Sequence, residues 1–299
     1  MDEQEWLADR FEEHRGHLRA VAYRMLGSLS EADDAVQDSW LRLSRSGASE
    51  VENLRAWLTT VVARVCLNRL RSRHRRREDL FGVHVPDPVI SPAGELQPEQ
   101  AVLLADSVGL ALLIVLDSLS PAERLAFVLH DMFQLPFEEI APVVGRTPAA
   151  ARQLASRARR RVKGAEIPVP DADLERQRQV VDAFLQATRQ GDLDALVAVL
   201  DPRVVLRVDP GARNPSQALE LRGAEAIARQ ALRGLSSVIS VAEIRPALVS
   251  GAAGVLVLVA GRPMAVFSFT VTAGKVARID AIADPERVVR IAAAVLAEE

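Results

Sequence analysis

The stretch FEEIAPVVGRTPAAARQLASRARRRVKG, residues 137–164, carries the clearest structural pattern in the chain. Apolar residues recur at helical spacing up to Val144, and a narrow apolar stripe resumes after Pro148. Between the two, Thr147 suits the N-cap position and Pro148 suits the first turn of a helix. Two short helices joined by a tight turn that contains Gly145, the second helix being basic, predict a helix-turn-helix.

The second helix of this motif has a polar, basic face opposite its apolar stripe. Arginine, glutamine and serine side chains hydrogen-bond base edges in the major groove, and an alanine methyl group contacts thymine. Three further cations, Arg159, Arg161 and Lys163, are expected to hold phosphates. An arginine-rich surface helix in a bundle is the alternative, but the sharp turn and the unbroken basicity favour DNA binding. This basic face consists of Ala149, Arg152, Gln153, Ser156, Arg157 and Arg160.

Charge is distributed unevenly in this 299-residue chain, whose formal net charge is −3. Residues 1–54 hold six arginines and twelve acids, whereas residues 55–77 hold eight arginines and no acid. Residues 143–165 hold seven further lysines or arginines, again without an acid. Two basic blocks in an otherwise acidic chain indicate two separate contacts with a polyanion, and two solvated helix faces are the alternative.

Residues 31–43 predict a helix with two unlike faces. One face is apolar and suits a core, whereas the opposite face is acidic but includes Leu41. A purely solvated face does not require that leucine, although a single exposed leucine is common in proteins. The face is therefore interpreted either as a protein-binding surface or as ordinary solvated surface. This acidic face consists of Asp33, Asp34, Gln37, Asp38 and Leu41.

Residues 55–77 predict a third helix, with arginines crowded at its C-terminal end. The first half of this helix is apolar most of the way round, which indicates burial on several sides. Positive charge at a helix C-terminus stabilises the helix dipole. Six arginines exceed what a helix end requires, so phosphate contact is favoured.

Composition divides the chain into three structured segments joined by two linkers. The first two segments are predicted to be all-α, and the third to be α+β. The linker between the all-α segments is predicted to be flexible because it holds glycines and several prolines. The segments are 1–78, 103–165 and 174–299, and the linkers are 79–102 and 166–173.

The third segment begins with helical patterns and continues with β-rich runs, which predicts helices packed on an antiparallel sheet. Helices are predicted at 174–188, 193–200, 223–232 and 285–296. Strands are predicted at 204–208, 238–244, 254–260, 264–271 and 276–283.

The bulk composition argues against several classes of protein. One cysteine, Cys66, leaves no internal disulfide and fits a reducing cytoplasm. The acidic residues 1–15 do not resemble a signal peptide, and no run of about 18 apolar residues predicts a membrane span. The five histidines and the cysteine show no metal-ligand spacing. A soluble, cytoplasmic protein without metal or cofactor is expected.

Four motifs in the all-α segments resemble a known family. AYRMLGS at residues 22–28, EADDAVQD at 31–38 and LRAWLTTVVAR at 54–64 resemble region 2 of the extracytoplasmic-function (ECF) sigma factors of bacterial RNA polymerase. LSPAER at 119–124, with the helix-turn-helix after it, resembles region 4 of the same family. The resemblance covers residues 11–163. It implies that the two all-α segments are a region 2 helical bundle and a region 4 helix-turn-helix domain.

The resemblance also implies partners and site residues. In this family the acidic helix of region 2 binds the β′ clamp of core RNA polymerase, which assigns the acidic face to polymerase binding. Region 4 contacts the β flap and binds the −35 promoter element through its basic face. The linker runs between the two domains, so that both promoter elements are held at once. The arginine-rich helix of region 2 and the loop before it capture the −10 element, which implies −10 contacts by Asn53, Arg55, Trp57, Arg64, Asn68, Arg71 and Arg75.

The third segment resembles the SnoaL-like cone fold, and sigma factors that carry this extension form a SigJ-type group. In that group the extension contacts the sigma domains and modulates their activity without a separate anti-sigma factor. The group has a glycine-rich motif after the first strand and an Asn-Pro-Asp-Lys motif near its end. Here DPGAR at 209–213 keeps part of the first motif, and ADPER at 283–287 lacks the asparagine of the second. The resemblance implies interdomain regulatory roles for Asp209, Asp284, Pro285 and Arg287.

Cone folds also bind small molecules or catalyse acid–base reactions, so the fold alone does not decide what the third segment does. Catalysis requires a positioned acid or base inside an apolar pocket. No histidine follows His130, and the strand region 238–283 holds only Glu243 and Asp280 as acids. Asp209, at a strand end, is typical of a turn. Regulation through protein contact is favoured over ligand sensing, and both are favoured over catalysis.

Three functions stay open from the residues alone. The first is an alternative sigma factor with a regulatory domain. The second is a ligand-responsive repressor or activator that never binds polymerase, and the third is an enzyme with a DNA-binding appendage. The acidic face favours the first, because a simple repressor has no use for it. Repressors of the second kind are mostly dimers. A monomer outside the holoenzyme therefore favours the sigma factor, and a monomer is expected.

Overall fold

The computed structural model describes residues 3–46, 53–77, 83–92, 109–165, 167–234 and 241–296. The chain forms two compact units, each with its own core. The first unit comprises Met1–Leu80 and Pro98–Ile167, and the second comprises Phe81–Gln97 and Pro168–Glu299. None of the helices in the described part of the chain combines the length and the apolarity that a bilayer crossing requires.

The first unit begins with three helices that pack against one another: α1 (Glu3–Leu26), α2 (Leu29–Ser46) and α3 (Leu54–Arg77). Their apolar stripes meet in a core that includes Leu18, Val36, Leu58 and Val62, all buried. Burial of these side chains stabilises the bundle, because each removes a large apolar surface from water. The core also surrounds α3 on several sides in its first half, as the sequence predicts.

The second half of the first unit contains α4 (Leu110–Asp117), α5 (Pro121–Phe127), a π-helical turn (Val128–Met132), α6 (Phe137–Val144) and α7 (Pro148–Gly164). A capping box begins α5: the Ser120 hydroxyl accepts from the Glu123 amide at 3.4 Å, and the Glu123 carboxylate accepts from the Ser120 amide at 3.2 Å. Such reciprocal bonds satisfy donors that a helix N-terminus leaves free.

A buried arginine joins the two halves of the first unit. Arg124 is only 1% exposed. Its guanidinium donates to the main-chain oxygen of Arg24 at 3.0 and 3.1 Å and to Asp117 at 3.1 Å. A buried guanidinium is tolerated only when its donors are satisfied in this way. The two predicted all-α segments therefore share one compact unit.

Within the described residues, the second unit is built on a seven-stranded sheet in the order β1-β4-β5-β6-β7-β2-β3. Neighbouring strands are antiparallel, except β2 and β7, which are parallel, so the prediction of an antiparallel sheet is wrong for this one pair. The strands are β1 (Ile90–Pro92), β2 (Leu200–Asp209), β3 (Leu219–Arg222), β4 (Glu243–Val249), β5 (Ala252–Val259), β6 (Arg262–Thr272) and β7 (Lys275–Ile282). The helices are α8 (Leu174–Gln190), α9 (Leu193–Val199), α10 (Ala224–Gly234), α11 (Pro285–Ile291) and α12 (Ala293–Leu296).

Helices α8, α9 and α10 pack with the sheet around one apolar core. This core includes Phe184, Leu196, Ile227, Val255 and Phe269, all buried. Phe184 and Phe269 meet edge to face with ring centroids 5.6 Å apart, an arrangement that aromatic quadrupoles favour. The segment is α+β, as its sequence pattern predicts.

The prediction of a flexible linker at 79–102 is wrong for residues 83–92, the part of it that the structure describes. Residues 83–92, which we call the linker segment, belong to the second unit and end in β1. β1 pairs with β4, with Ile90 opposite Val249, and the Ser250 amide donates to the Val89 oxygen at 2.7 Å. In a sequence, prolines suggest flexibility. An edge strand tolerates them, because it is hydrogen-bonded to a neighbour on one side only and needs no N–H donor on the other.

Several element predictions in the third segment are also wrong in detail, and the single helix predicted at 285–296 is observed as two, α11 and α12. Of the strand predicted at 238–244, residues 238–240 lie outside the described residues, and the strand observed nearby is β4, Glu243–Val249, with Pro246 inside it. Among the described residues β1 pairs only with Ala247–Val249, so Pro246 lies where β4 has a partner on one side alone. The helix predicted at 193–200 ends at Val199, and β2 already begins at Leu200. Strand β3 was not predicted.

Candidate nucleic-acid interface

The turn between α6 and α7 has the geometry that the helix-turn-helix prediction requires. Gly145 ends α6 in the left-handed conformation, with φ of 70° and ψ of 43°, which favours glycine. Thr147 then caps α7, since its hydroxyl accepts from the Ala150 amide at 3.3 Å. These two residues fix the direction in which α7 leaves the turn.

Helix α7 separates a buried stripe from an exposed face. Ala151, Ala155 and Ala158 are buried against the rest of the first unit, and their small size lets α7 approach α5 and α6 closely. Every residue of the predicted basic face is exposed: Ala149, Arg152, Gln153, Ser156, Arg157 and Arg160. The helix therefore presents these side chains together on one surface.

Some arginines of α7 already have partners within the unit. Arg159 pairs with Asp131 at 2.5 Å, and Arg161 pairs with the nearly buried Glu123 at 3.0 Å. Arg157 lies 3.7 Å from the same Glu123 carboxylate while remaining exposed. Burial alone would raise the pKa of Glu123, but the bonds from Ser120 and the charges of Arg161 and Arg157 lower it below its usual value. The sequence pattern gave no sign of these long-range pairings.

The acidic face of α2 lies on the outside of the bundle. Asp33, Asp34, Gln37 and Leu41 are exposed, and Asp38 is half-buried. Leu41 is 45% exposed, a high value for a large apolar side chain on an acidic surface. The other face of α2 is buried in the core. The two-faced helix predicted from the sequence is thus present.

Part of the acidic face is neutralised by arginines from neighbouring helices. Arg69 of α3 pairs with Asp38 at 2.8 Å and approaches Asp34 at 3.8 Å. Arg19 of α1 pairs with Asp33 at 2.6 Å. These pairs are partly solvated, so each contributes little to stability. They do fix the orientation of the carboxylates.

Helix α3 uses its arginines in two ways. Arg69 and Arg73 turn towards α2, where Arg73 pairs with Glu31. The residues predicted to contact the −10 element recur mostly at helical spacing along another face. Asn53, Arg55, Arg64, Asn68 and Arg71 are exposed and Trp57 is half-buried, while the side chain of Arg75 lies outside the described part of the chain. Asn53 also caps the helix, since its Oδ1 accepts from the Ala56 amide at 3.1 Å.

A half-buried histidine lies between α1, α3 and the π-helical turn. His17 contacts Thr59 through Nε2 at 3.1 Å and Arg55 through Nδ1 at 3.1 Å, and its ring meets Phe133 edge-on at 5.2 Å. Because Arg55 can only donate, Nδ1 is the acceptor and the ring is neutral. Burial, followed by the positive charges nearby, lowers the pKa of His17 from 6.5 to about 4.

In the second unit, a buried ion cluster holds the linker segment against the sheet. The Arg287 guanidinium donates to Asp209 Oδ2 at 2.8 Å. The same guanidinium bonds the Asp87 carboxylate and the main-chain oxygen of Val85, both in the linker segment. Asp209 Oδ2 also accepts from the Val85 amide at 2.9 Å and lies 3.2 Å from His84.

Electrostatics favour this cluster in its fully charged form. Burial would raise the pKa of Asp209, but the bonds from His84 and Val85 and the charge of Arg287 hold it well below its usual value. Burial would likewise lower the pKa of Arg287, and the carboxylates of Asp87 and Asp209 raise it instead. Each charge is thus compensated by another within the cluster.

The remaining predicted regulatory residues position Arg287. Asp284 caps α11, with its carboxylate accepting from the amides of Glu286 at 3.1 Å and Arg287 at 3.3 Å. Pro285 occupies the first helical turn and is exposed. Gly211 has φ of 77°, and a Cβ there would come within 2.1 Å of the Asp284 carboxylate. The structure therefore brings two of the four predicted residues, Asp209 and Arg287, onto the linker segment, while Asp284 and Pro285 form the start of α11.

The second unit also contains a partly open cavity of about 410 Å³ between its sheet and helices α8 and α10. The wall is formed mainly by aliphatic and phenylalanine side chains, with Gln217 and Gln230 as its polar members. No titratable side chain belongs to the described lining. Glu243, Asp280 and Asp209 each adjoin a lining residue in sequence but are not in the lining themselves. Such a wall suits binding better than acid–base chemistry.

Comparison with known proteins identifies the family. Residues 10–76 match the family model for sigma-70 region 2, and residues 110–162 match the model for sigma-70 region 4. The chain belongs to the ECF RNA polymerase sigma factors. The function expected from the sequence, that of an alternative sigma factor, is confirmed at the level of this family.

Similar proteins of known name extend this likeness over almost the whole chain. ECF RNA polymerase sigma factor SigJ of Mycobacterium tuberculosis is 37% identical over 93% of this chain and 91% of its own length. A probable ECF sigma factor, SigI, from the same species is 36% identical over 91% of each chain. The crystal structure of M. tuberculosis SigJ matches with a TM-score of 0.73 at 35% identity, covering 94% of this chain and 97% of SigJ. The predicted fold class, two helical sigma domains followed by an α+β cone, is confirmed.

Proposed function

We propose that this protein binds core RNA polymerase through the acidic face of α2 and directs it to promoters through α3 and α7. The observation that carries the proposal is the joint exposure of the acidic face and the basic face, each on a helix whose opposite side is buried. A repressor would use the basic face alone. A sigma factor uses both, because it must bind polymerase and DNA together.

The acidic face suits a partner with positive charge and an apolar contact point. Leu41 supplies an exposed apolar anchor, and Gln37 and Asp34 lie one or two helical turns before it. Interfaces of this kind derive much of their affinity from a few apolar anchors surrounded by polar groups. We assign this surface to the β′ clamp of the polymerase, with region 4 contacting the β flap.

The DNA assignments separate base contacts from phosphate contacts. Arg152 and Arg157 are exposed on the basic face, where a guanidinium can bond guanine through two atoms. Arg159 and Arg161 are anchored by Asp131 and Glu123, so we assign them a weaker phosphate contact than the sequence suggested. On α3, the exposed row that includes Arg64, Asn68 and Arg71 is assigned to the −10 element.

The second unit is proposed to modulate this activity by holding the linker segment. Arg287 and Asp209 bond both the main chain and Asp87 of that segment. In the holoenzyme the linker must run between the two promoter-binding domains, so the hold has to be released first. Molecules in which the linker segment is still held cannot bind polymerase and both promoter elements. The larger the fraction of such molecules, the lower the apparent activity. The hold is therefore inhibitory, and no catalysis is assigned to this unit.

The test is run-off transcription with bacterial core polymerase, the full-length protein and a library of upstream DNA. Specific transcripts that depend on the protein support the sigma assignment and give its promoter. DNA binding without polymerase, with no transcript from wild type or from an Arg287→Ala variant, would favour the repressor alternative. We expect a cytoplasmic monomer outside the holoenzyme, which size-exclusion chromatography with light scattering measures.

A further inference from the structure

The cavity in the second unit has the size of a ligand site. Its volume of about 410 Å³ falls within the roughly 300–1,000 Å³ typical of small-molecule pockets. Gaps that arise from imperfect packing are usually far smaller, because side chains in cores interdigitate closely. The size of the cavity therefore favours a bound small molecule.

The lining defines the chemical class of that occupant. Phe184, Phe267 and Phe269 contribute aromatic surface, and the rest of the described wall is aliphatic, methionine or glycine apart from two glutamines. Gln230 is half-buried and Gln217 is exposed, and neither side chain has a hydrogen-bond partner among the described residues. A charged ligand would lose its hydration here without gaining an opposite charge. A neutral ligand does not need an opposite charge, and the two glutamines can bond one or two polar groups on it.

The wall of the cavity is continuous with the ion cluster that holds the linker segment. Val208 and Ala283 line the cavity, and each is followed in the chain by an aspartate of the regulatory set. The Ala283 amide donates to the main-chain oxygen of Asp209 at 2.8 Å. In addition, Ile244 lines the cavity from β4, the strand that pairs with β1 of the linker segment.

We propose that the cavity binds a neutral, largely apolar small molecule, and that its occupancy changes the hold on the linker segment. The binding part stands on the cavity alone. The regulatory part rests on the proposed function of the second unit. A ligand that binds the two states of the segment with different affinity shifts the balance between them.

Binding is tested on the full-length protein with Nile red, a neutral dye whose emission shifts to the blue in apolar surroundings. We expect saturable binding with one site per chain. Ala231→Phe and Ala265→Phe both place a large side chain into the cavity and should weaken binding by about tenfold or more. Ala226→Phe lies on the exposed side of the same helix as Ala231 and is the matched control.

Thermal unfolding of each variant separates a filled cavity from a damaged fold. If a folded Ala265→Phe variant binds Nile red as tightly as wild type, the cavity is not the site. The charge of the ligand is tested by displacement: 1-octanol should displace the dye, whereas octanoate at the same concentration should not. Equal displacement by octanoate would overturn the assignment to neutral molecules.

Hydrogen exchange at residues 83–92 tests the regulatory part. Saturating Nile red should change the exchange of this segment in wild type and leave it unchanged in Ala265→Phe. Unchanged exchange in wild type would overturn the coupling. Arg287→Ala keeps the two ideas distinguishable: it should release the segment but retain dye binding. If it does not release the segment, the proposed hold fails even where dye binding supports the cavity.

Discussion

Arg287 of α11 donates to Asp209 at the end of β2 across 2.8 Å, and both residues bind the linker segment, which lies more than a hundred residues earlier in the chain. Asp209 is buried and the side chain of Arg287 is 11% exposed, and the other bonds of Arg287 go to Val85 and Asp87 of the linker segment. Removing Arg287 leaves the carboxylates of both Asp209 and Asp87 without their shared cation, so Arg287 is a suitable residue at which to test the hold.

Replacing Arg287 by alanine should free the linker segment. Breaking a buried ion pair costs about 3–5 kcal/mol, so amide exchange at residues 83–92 should accelerate by about a hundredfold or more. Asp87→Asn should act in the same direction, because it weakens the bond from the linker side. Hydrogen exchange read by mass spectrometry measures both.

Arg213→Ala is the matched control for this prediction. Arg213 pairs with Glu286 of the same helix α11, but both side chains are largely exposed. An exposed pair contributes about 0–1 kcal/mol, so exchange at residues 83–92 should stay at the wild-type rate. Equal acceleration in the control and in Arg287→Ala would mean that any disturbance of α11 releases the segment.

Charge reversal on the acidic face should abolish polymerase binding. Asp34→Arg with Asp38→Arg changes two residues of that face, and Leu41→Arg removes its apolar anchor without touching the pair to Arg69. We expect both variants to lose co-purification with core polymerase while keeping cooperative unfolding. Asp182→Arg with Asp194→Arg, two exposed positions of the second unit, is the control. Retained binding by Leu41→Arg and by the double variant would refute the docking assignment.

Loss of Arg152 or Arg157 should weaken recognition of the −35 element selectively. A guanidinium bonded to guanine by two atoms contributes about 1–3 kcal/mol of discrimination. Binding of holoenzyme to promoters with matched and altered −35 sequences measures this difference. Lys163→Ala, at the exposed end of α7, should instead weaken all sequences alike and reduce the salt dependence. If the arginine variants lose the same binding affinity on every −35 sequence, Arg152 and Arg157 contact phosphates and not bases.

The stability of the first unit should fall as the pH drops from about 6.5 to about 4. His17 is held neutral in the folded state because its pKa is lowered from 6.5 to about 4, so the unfolded chain binds more protons in this window. The free energy of unfolding therefore rises with pH across it. His17→Gln should flatten this slope, whereas His74→Gln, an exposed histidine on α3, should keep it. Denaturant unfolding at several pH values provides the measurement.

The sequence predicts those features that depend on neighbouring residues. Helical periodicity places the acidic face on α2 and the basic face on α7, because residues three or four apart share a surface whatever the rest of the fold does. The turn at Gly145 and the cap at Thr147 are equally local. These predictions, including the family, required no knowledge of tertiary contacts.

Contacts between distant parts of the chain could not be predicted in this way. Nothing near Glu123 in sequence indicates that Arg161 will reach it, and the arginines of α3 give no sign that Arg69 and Arg73 turn towards α2. The linker segment is the clearest case. Its prolines suggest a flexible chain. In the structure, however, its strand β1 pairs with the edge of β4, and its Asp87 pairs with Arg287.

The central claim is that the bonds from Arg287 to the linker segment reduce the transcription activity of the sigma factor. Run-off transcription at equal occupancy of core polymerase tests it most directly, with wild type, Arg287→Ala and the control Arg213→Ala compared on one promoter. The account predicts more transcript from Arg287→Ala than from the other two proteins. Transcript levels that are the same for all three, with the linker segment shown to be released by hydrogen exchange, would contradict it.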